Sequence, residues 1–366
     1  MERMKNFFNR LTLKQIIWSS ITVVCLLLYG ILTIWIHHKT NSLMDQQGAE
    51  RWDAEGDSVQ VSCFFEEHVE ITKNEFIGFE KTLEKMLLEV LSQEETSEEN
   101  SKRLLVDAYS AMGTITITSE KGKMEDAAAF GIGGDFFLFH PVQLIDGRYF
   151  TGNELMHDSI LLDEDGAWQL FGSNDIVGQS VMIGGIPHYV VGVFERPGGK
   201  FTEAVGLDKP IVYVSEETLS EYGTTQGISS YEVIAPNPVK HFVYNAVKEK
   251  LGVQEADMMV VENTTRYSLE SLIPVILDFG TRSMRKTAVC FPYWENVARG
   301  YEDISALVLI FRFLFLLIAG IILIVFLIIK WKSRQFTWKS LWMQVMDKME
   351  QIRTKTREEK TKWEKF

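Results

Sequence analysis

With 366 residues, 46% of them hydrophobic against 24% charged, the chain holds too much potential core to be disordered. A formal charge of -13 excludes an extended nucleic-acid surface, which needs a basic footprint. Three cysteines exclude a disulfide-dense scaffold, and seven scattered histidines leave little for a multi-metal site.

In residues 1–15, Met4, Phe7, Phe8 and Leu11 lie beside Lys5, Arg10 and Lys14, a pattern that predicts a cytoplasmic interfacial helix. Ile16 to Ile36 is a run of 21 residues without Asp, Glu, Lys, Arg or His. At about 1.5 Å per residue it matches the bilayer core and predicts a first transmembrane helix. His37, His38, Lys39 and Thr40 follow with no small-x-small site, so a retained anchor is expected rather than a cleaved signal.

From Phe64 to Leu91 the spacing of Phe76, Phe79, Leu83, Met86, Leu87 and Val90 predicts an amphipathic helix with Glu80, Glu84 and Glu89 in water. Residues 92–102, SQEETSEENSK, contain no apolar side chain; their acids lack calcium-loop spacing and predict a solvated linker. Beyond Gly113 the period changes. Thr114 to Ser119 alternates as a half-buried strand, and Phe136 to Phe139 reads as a short strand or a turn-flanked core piece. Ser159 to Leu162, Ser180 to Ile183 and Tyr189 to Phe194 are further strands, with Gly184, Gly185 and Pro187 favouring a hairpin between the last two. Pro210 to Val214 and Tyr231 to Ala235 are β-rich, and Pro238 to Leu251 is helical in pattern.

Residues 267–279 and 293–305 predict helices separated by a stretch that includes Pro292. The second leads straight into Ala306 to Ile329, 24 residues with a single charge, Arg312, which predict a second transmembrane helix. The approach to it is either a stiff stalk or a simple spacer. Arg312 lies about one and a half turns inside the exterior end, where it snorkels to the headgroups or meets another membrane helix; Gly320 sits mid-span. In the tail 330–366, Trp338, Leu341, Trp342, Val345 and Met349 recur at helical spacing within Phe336 to Met349, an amphipathic segment for the inner leaflet or a partner.

Residues 1–15 carry a net charge of +3, 330–366 carry +6 and 37–305 carry -23. The basic flanks predict a two-pass plasma-membrane protein with both termini cytoplasmic and residues 37–305 exterior. The fold class expected is α+β: two transmembrane helices flanking a mixed α/β exterior domain with more than one subdomain and a stalk.

No catalytic signature emerges. There is no G-x-x-x-x-G-K-[ST] or G-x-S-x-G, and Gly131, Gly133 and Gly134 lack dinucleotide spacing and suit turns or tight packing. Asp163, Asp165 and Gly166 share only the opening of a calcium loop and predict a surface turn before Trp168. His140, His157 and His188 have no zinc-site spacing. Cys63 and Cys290 form either one exterior disulfide or two reduced structural positions. No enzymatic activity, cofactor or metal is expected.

One region says more. Ala129 to Glu195 contains AFGIGGDFFLFHPVQLIDGRYF and DSILLDEDGAWQLFGSNDIVGQSVMIGGIPHYVVGVFE. The ordered set of an aspartate-aromatic pair, L-x-x-G-R-x-F, A-x-x-L-F-G, V-G-Q-x-V and V-V-G-V resembles the exterior core domain of MacB-like, FtsX-like ABC transporter permeases. The resemblance places Asp146, Gly147, Arg148 and Phe150 at a turn. It places Leu170, Phe171 and Gly172 on a helix-to-loop element, Gly178 in the next turn and Gly192 in the terminal strand. All are architectural rather than catalytic. Family permeases usually have four spans, whereas 330–366 contains no third long apolar stretch. The resemblance therefore implies a permease-like subunit that couples a separate ABC ATPase to an exterior domain, with a further permease subunit or a homo-oligomer and membrane lipids as partners. A membrane-anchored sensor, binding or assembly protein is the alternative.

Overall fold

The computed structural model describes residues 13–54, 56–91, 103–199, 201, 207–282, 288–333 and 346. Most of the expected interfacial helix at 1–15, the linker 92–102 and the tail residues Trp338, Leu341 and Trp342 lie outside the described residues. Two compact units are present: Met1–Trp35 with Leu309–Phe366, and Ile36–Val308.

The chain begins with α1 (Leu13–Thr40), a 3-10 turn (Met44–Gln46), α2 (Gly48–Trp52), β1 (Ser58–Phe65) and α3 (Lys73–Leu91). A central stretch follows: β2 (Val106–Thr118), β3 (Lys123–Gly134), α4 (Phe136–Phe139), β4 (Leu144–Gly147), β5 (Ser159–Asp163), α5 (Glu164–Phe171), β6 (Ser180–Ile183) and β7 (Ile186–Phe194). It ends with β8 (Ile211–Ser215), α6 (Glu216–Tyr222), β9 (Thr224–Pro236), α7 (Phe242–Lys250), β10 (Met258–Glu262), α8 (Leu269–Leu277) and α9 (Tyr293–Ser333).

A mixed ten-stranded sheet runs through the larger unit in the order β10-β1-β9-β2-β3-β8-β5-β7-β4, with β6 beside β2 and β7. The β3/β8 and β5/β7 pairs are parallel. Where the sequence predicts more than one subdomain, this single sheet carries the whole region and only its cover changes. Under one half, Phe76, Phe79, Leu83 and Leu87 of α3 join Val243 and Val247 of α7 against Tyr231, with the Phe76 and Tyr231 rings stacked at 4.5 Å. Under the other, Leu170 of α5, Leu219 of α6 and Val181 and Ile183 of β6 pack on Ile160 and Leu162. Strand alternation sends the intervening side chains to the opposite face, where Phe130, Leu161 and Tyr213 meet Phe136, Phe139, Phe150 and Trp294.

The structure corrects or extends four local expectations. Phe64 and Phe65 end β1, a strand buried at all eight positions whose polar and apolar side chains alternate from Ser58 to Cys63, and the helix begins only at Lys73. Of the two readings of Phe136–Phe139, the core piece fits: it is one helical turn with Phe136, Phe137 and Phe139 buried. Asp163 is a fully buried N-cap rather than part of a surface turn, accepting from the Gly166 and Ile211 amides at 2.8 and 2.9 Å. TITITS is the end of a strand that starts eight residues earlier, at Val106. The β6/β7 hairpin forms as its glycines predict, with Gly184 and Gly185 both at positive φ. Cys63 and Cys290 are not joined in a disulfide: Cys63 is buried 3.6 Å from the Met258 sulfur, and Cys290 donates to Glu67 at 2.9 Å.

In the smaller unit, the apolar parts of α1 and α9 are long enough to cross a bilayer. Cys25, Ala319 and Ile322 are buried, while most of the other large apolar side chains stay exposed.

Candidate coupling site

The motif residues build a frame around β7. Asp146 Oδ1 accepts from the Gly147 amide at 2.8 Å, and the Arg148 amide donates to the Val191 carbonyl at 2.9 Å. Gly147 has φ +84, and a Cβ there would lie 2.2 Å from the Val191 oxygen, so this turn excludes any side chain. The Gly192 Cα faces the Asp146 and Arg148 carbonyls. Phe150 is buried edge-on to Phe137, Leu170 is fully buried, Phe171 packs beside it, and Gly172 closes α5 in the left-handed conformation. The Gly178 amide donates to the Val190 carbonyl at 2.8 Å. Arg148 is exposed beside Glu154 at 3.7 Å. None of these groups presents a reactive arrangement.

The histidines are not gathered into a metal site. Thr218 Oγ1 donates to the His157 carbonyl and lies 3.3 Å from His188 Nε2, while His140 pairs elsewhere. Among the described residues, Glu66, His68 and Asp257 form a cluster of metal-ligating type. However, His68 turns one ring nitrogen to each acid, at 3.5 and 3.6 Å, which is the geometry of an ion-pair bridge.

The chemistry concentrates in residues the sequence motifs did not mark. After α1, Gln60 of β1 fastens the incoming chain: its Nε2 donates to the Asp45 carbonyl at 2.9 Å and its Oε1 accepts from the Gly48 amide at 2.8 Å. Arg51 adds bonds to the Leu138 and Phe139 carbonyls of α4. Asp45 Oδ1 is 2.8 Å from His140 Nδ1, and the other ring nitrogen meets Glu232 of β9. Ser62 also donates to Glu232 and accepts from Asn263 Nδ2 at 2.6 Å. The His140 ring lies 4.3 Å from that of Trp294, at the start of α9.

A second cluster continues from Gln46. The Arg266 guanidinium grips Glu295 bidentately at 2.7 and 2.6 Å, reaches Glu302 at 2.5 Å and donates to Gln46 Oε1 at 3.2 Å. Arg282 adds bonds to Glu302 and, at 2.5 Å, to Asp303. Arg266, Glu295 and Glu302 are all buried. Burial opposes the charge on Arg266, but Glu295 and Glu302 outweigh it and hold the guanidinium charged; burial also pushes the Glu295 carboxyl up against the pull of Arg266. At His140 burial favours the neutral ring, and Glu232 and Asp45 overrule it, lifting the pKa from 6.5 to about 9. With a carboxylate on each nitrogen, only the imidazolium offers two donors.

Every member of these clusters lies in the larger unit. Together they tie the segment after α1 to the first turns of α9 through β1, β9 and Arg266. Sequence reasoning missed them because residues 45, 60, 140, 232, 266, 295 and 302 are far apart in the chain. The available signal was a lone Glu232 within SYEVIA and a lone Gln60 within VQV, polar groups that a buried strand accommodates only when paired.

The model of the MacB-like periplasmic core domain matches residues 47–251, more than half of the chain. The chain belongs to the MacB-like periplasmic core domain family. Relatives include a macrolide export ATP-binding/permease protein, MacB 2, of Aeromonas hydrophila, 25% identical over 174 residues, which is 46% of this chain and 24% of that protein. An uncharacterized ABC transporter permease, YvrN, of Bacillus subtilis is 28% identical over 91 residues, covering 24% of this chain and 22% of that one. The matches thus span about a quarter of these relatives' length. Among solved structures, the periplasmic region of MacB from Actinobacillus actinomycetemcomitans aligns with 17% identity over 56% of this chain and 89% of that one, at a TM-score of 0.39. The extracellular domain of the noncanonic ABC-type transporter YknZ from Gram-positive bacteria aligns with 18% identity over 55% of this chain and 99% of that one, at 0.35. Within this MacB-like chain the motif residues frame the sheet, and the buried ion clusters join the segments on either side of it.

Proposed function

We propose that the chain is the permease-like membrane subunit of an ABC transporter or mechanotransmission complex, coupling a separate ATPase to the exterior domain. In this reading 16–36 and 306–329 cross the plasma membrane, 37–305 is exterior, and 1–15 and 330–366 are cytoplasmic, the latter meeting the inner leaflet or the ATPase. Family membership, the two apolar helices and the Lys/Arg-rich flanks support it. The observation that carries it is the buried clamp of Gln46, Arg266, Glu295 and Glu302. A binding module that merely hangs from the membrane needs no such costly ionic grip on the segments that enter and leave it.

The test combines topology with dependence on the ATPase. Tags at both ends should resist exterior protease while sites in Ile36–Val308 are cut, and an exterior C-terminal tag would sink the arrangement. The full chain should be recovered with an ABC ATPase under gentle extraction, and deletion of 336–366 should reduce that recovery without preventing insertion. A chain that inserts as stated but never associates with an ATPase, with or without the tail, would favour the independent sensor.

A further inference from the structure

In the smaller unit, Arg312 projects from the apolar part of α9 toward Tyr29 of α1. Its Nη2 is 3.4 Å from the Tyr29 hydroxyl, and the guanidinium lies 5.1 Å from the Tyr29 ring centroid. Its Nε is buried and has no hydrogen-bond partner among the described residues. Tyrosine supplies a π face and a neutral oxygen, but not a counter-charge. Neither Ile16–Ile36 nor Ala306–Ile329 contains Asp or Glu. The positive charge therefore stands uncompensated about 9 Å, six residues, inside the exterior end of its apolar stretch.

We propose that Arg312 is the docking point for a different membrane protein, whose own span presents a carboxylate at the same depth. The inference rests on the reading of α1 and α9 as membrane spans of a multi-subunit complex, and it specifies the partner. A second copy of this chain does not fit: at that depth it offers no acid, and a two-fold contact through this face sets arginine against arginine. Tyr29 holds the guanidinium sideways against α1 instead of leaving it to extend toward the headgroups, which favours a lateral helix over a lipid phosphate. Gly320 leaves open space where its Cβ would be, two turns further along the same helix.

The test uses the full chain in its native membrane, extracted with its surrounding lipid by a styrene–maleic acid polymer, as wild type and as Arg312→Lys, Arg312→Gln and Arg312→Glu. Insertion and folding of each variant are checked by recovery in the membrane fraction and by a limited-proteolysis pattern of Ile36–Val308 identical to that of wild type. Wild type and Arg312→Lys should bring down a membrane protein with an Asp or Glu at the matching depth. Arg312→Gln should lower that recovery about tenfold, the value of one interhelical polar contact of about 1.4 kcal/mol, and Arg312→Glu should lower it further. Replacing the partner's carboxylate with lysine should restore recovery by Arg312→Glu and not by wild type. Equal recovery by all four forms, crosslinking of Arg312→Cys to a second copy of itself, or loss only of a bound anionic lipid would each overturn the proposal while leaving the permease reading intact. A wild-type chain extracted with neither a membrane partner nor an ABC ATPase would overturn both.

Discussion

The frame around β7 and the clamp around Arg266 are both buried, yet they are held by opposite means. The frame relies on apolar filling and on turns that only glycine allows, and its motif residues all come from the one stretch Asp146 to Gly192. The clamp relies on charges drawn from three segments, at Arg266, Arg282 and the start of α9, with Gln46 added from a fourth. The first kind of order is tolerant, because a lost methyl costs only its own packing; the second is brittle, because removing one charge strands the others.

The largest effect should come from breaking the clamp on one side only. Arg266→Met leaves Glu295 buried without its cation and should cost about 3–5 kcal/mol, measured by denaturant unfolding of the purified full chain. Replacing both, as Arg266→Met with Glu295→Leu, should recover much of that loss. If the single and double variants are equally unstable, the clamp is not an ionic unit.

His140 gives the next largest effect. Its folded pKa of about 9 lies above the unfolded value near 6.5, so its contribution is complete below about pH 6.5 and is lost as pH rises through about 9. The loss should be on the order of 3 kcal/mol across that window. In His140→Gln the alkaline decline should flatten, and an unchanged slope would remove His140 from the account.

On the frame side, Gly147→Ala should cost about 2 kcal/mol, because the added carbon meets the Val191 carbonyl in a left-handed turn. The cost should be independent of pH over the window that affects His140, which separates the two kinds of order in one titration. The smallest effect should be Ser215→Ala, at about 1 kcal/mol, from loss of the 3.0 Å cap on the Thr218 amide at the start of α6. A thermal melt of the same preparation resolves it.

This contrast also explains what was legible in the sequence. The β6/β7 hairpin and the turn at Gly147 are written in adjacent residues, so glycine spacing and the family-like run Ala129 to Glu195 disclosed them. β1 alternates polar and apolar side chains from Ser58 to Cys63, but its closing pair Phe64 and Phe65 reads equally well as the start of the helical pattern that follows, and Asp163 looked like a surface turn because its second partner, Ile211, comes 48 residues later. The clamp was illegible for the same reason on a larger scale: Gln46 and Arg266 are 220 residues apart. Arg266 sits in NTTRYS, a polar setting in which an arginine normally faces water.

Glu295 and Glu302 stand seven residues apart on α9, close to two full turns, so they project from nearly the same side of the helix about 10 Å apart along its axis. Because one guanidinium holds both, α9 is pinned at two points on a single stripe. Rotation by even one residue's worth of helical phase, about 100°, would carry both carboxylates off Arg266 at once, and so would an axial slip of one turn. The helix therefore behaves at this point as a keyed shaft: small tilts are absorbed by side-chain bending, whereas twist is resisted until the key shears.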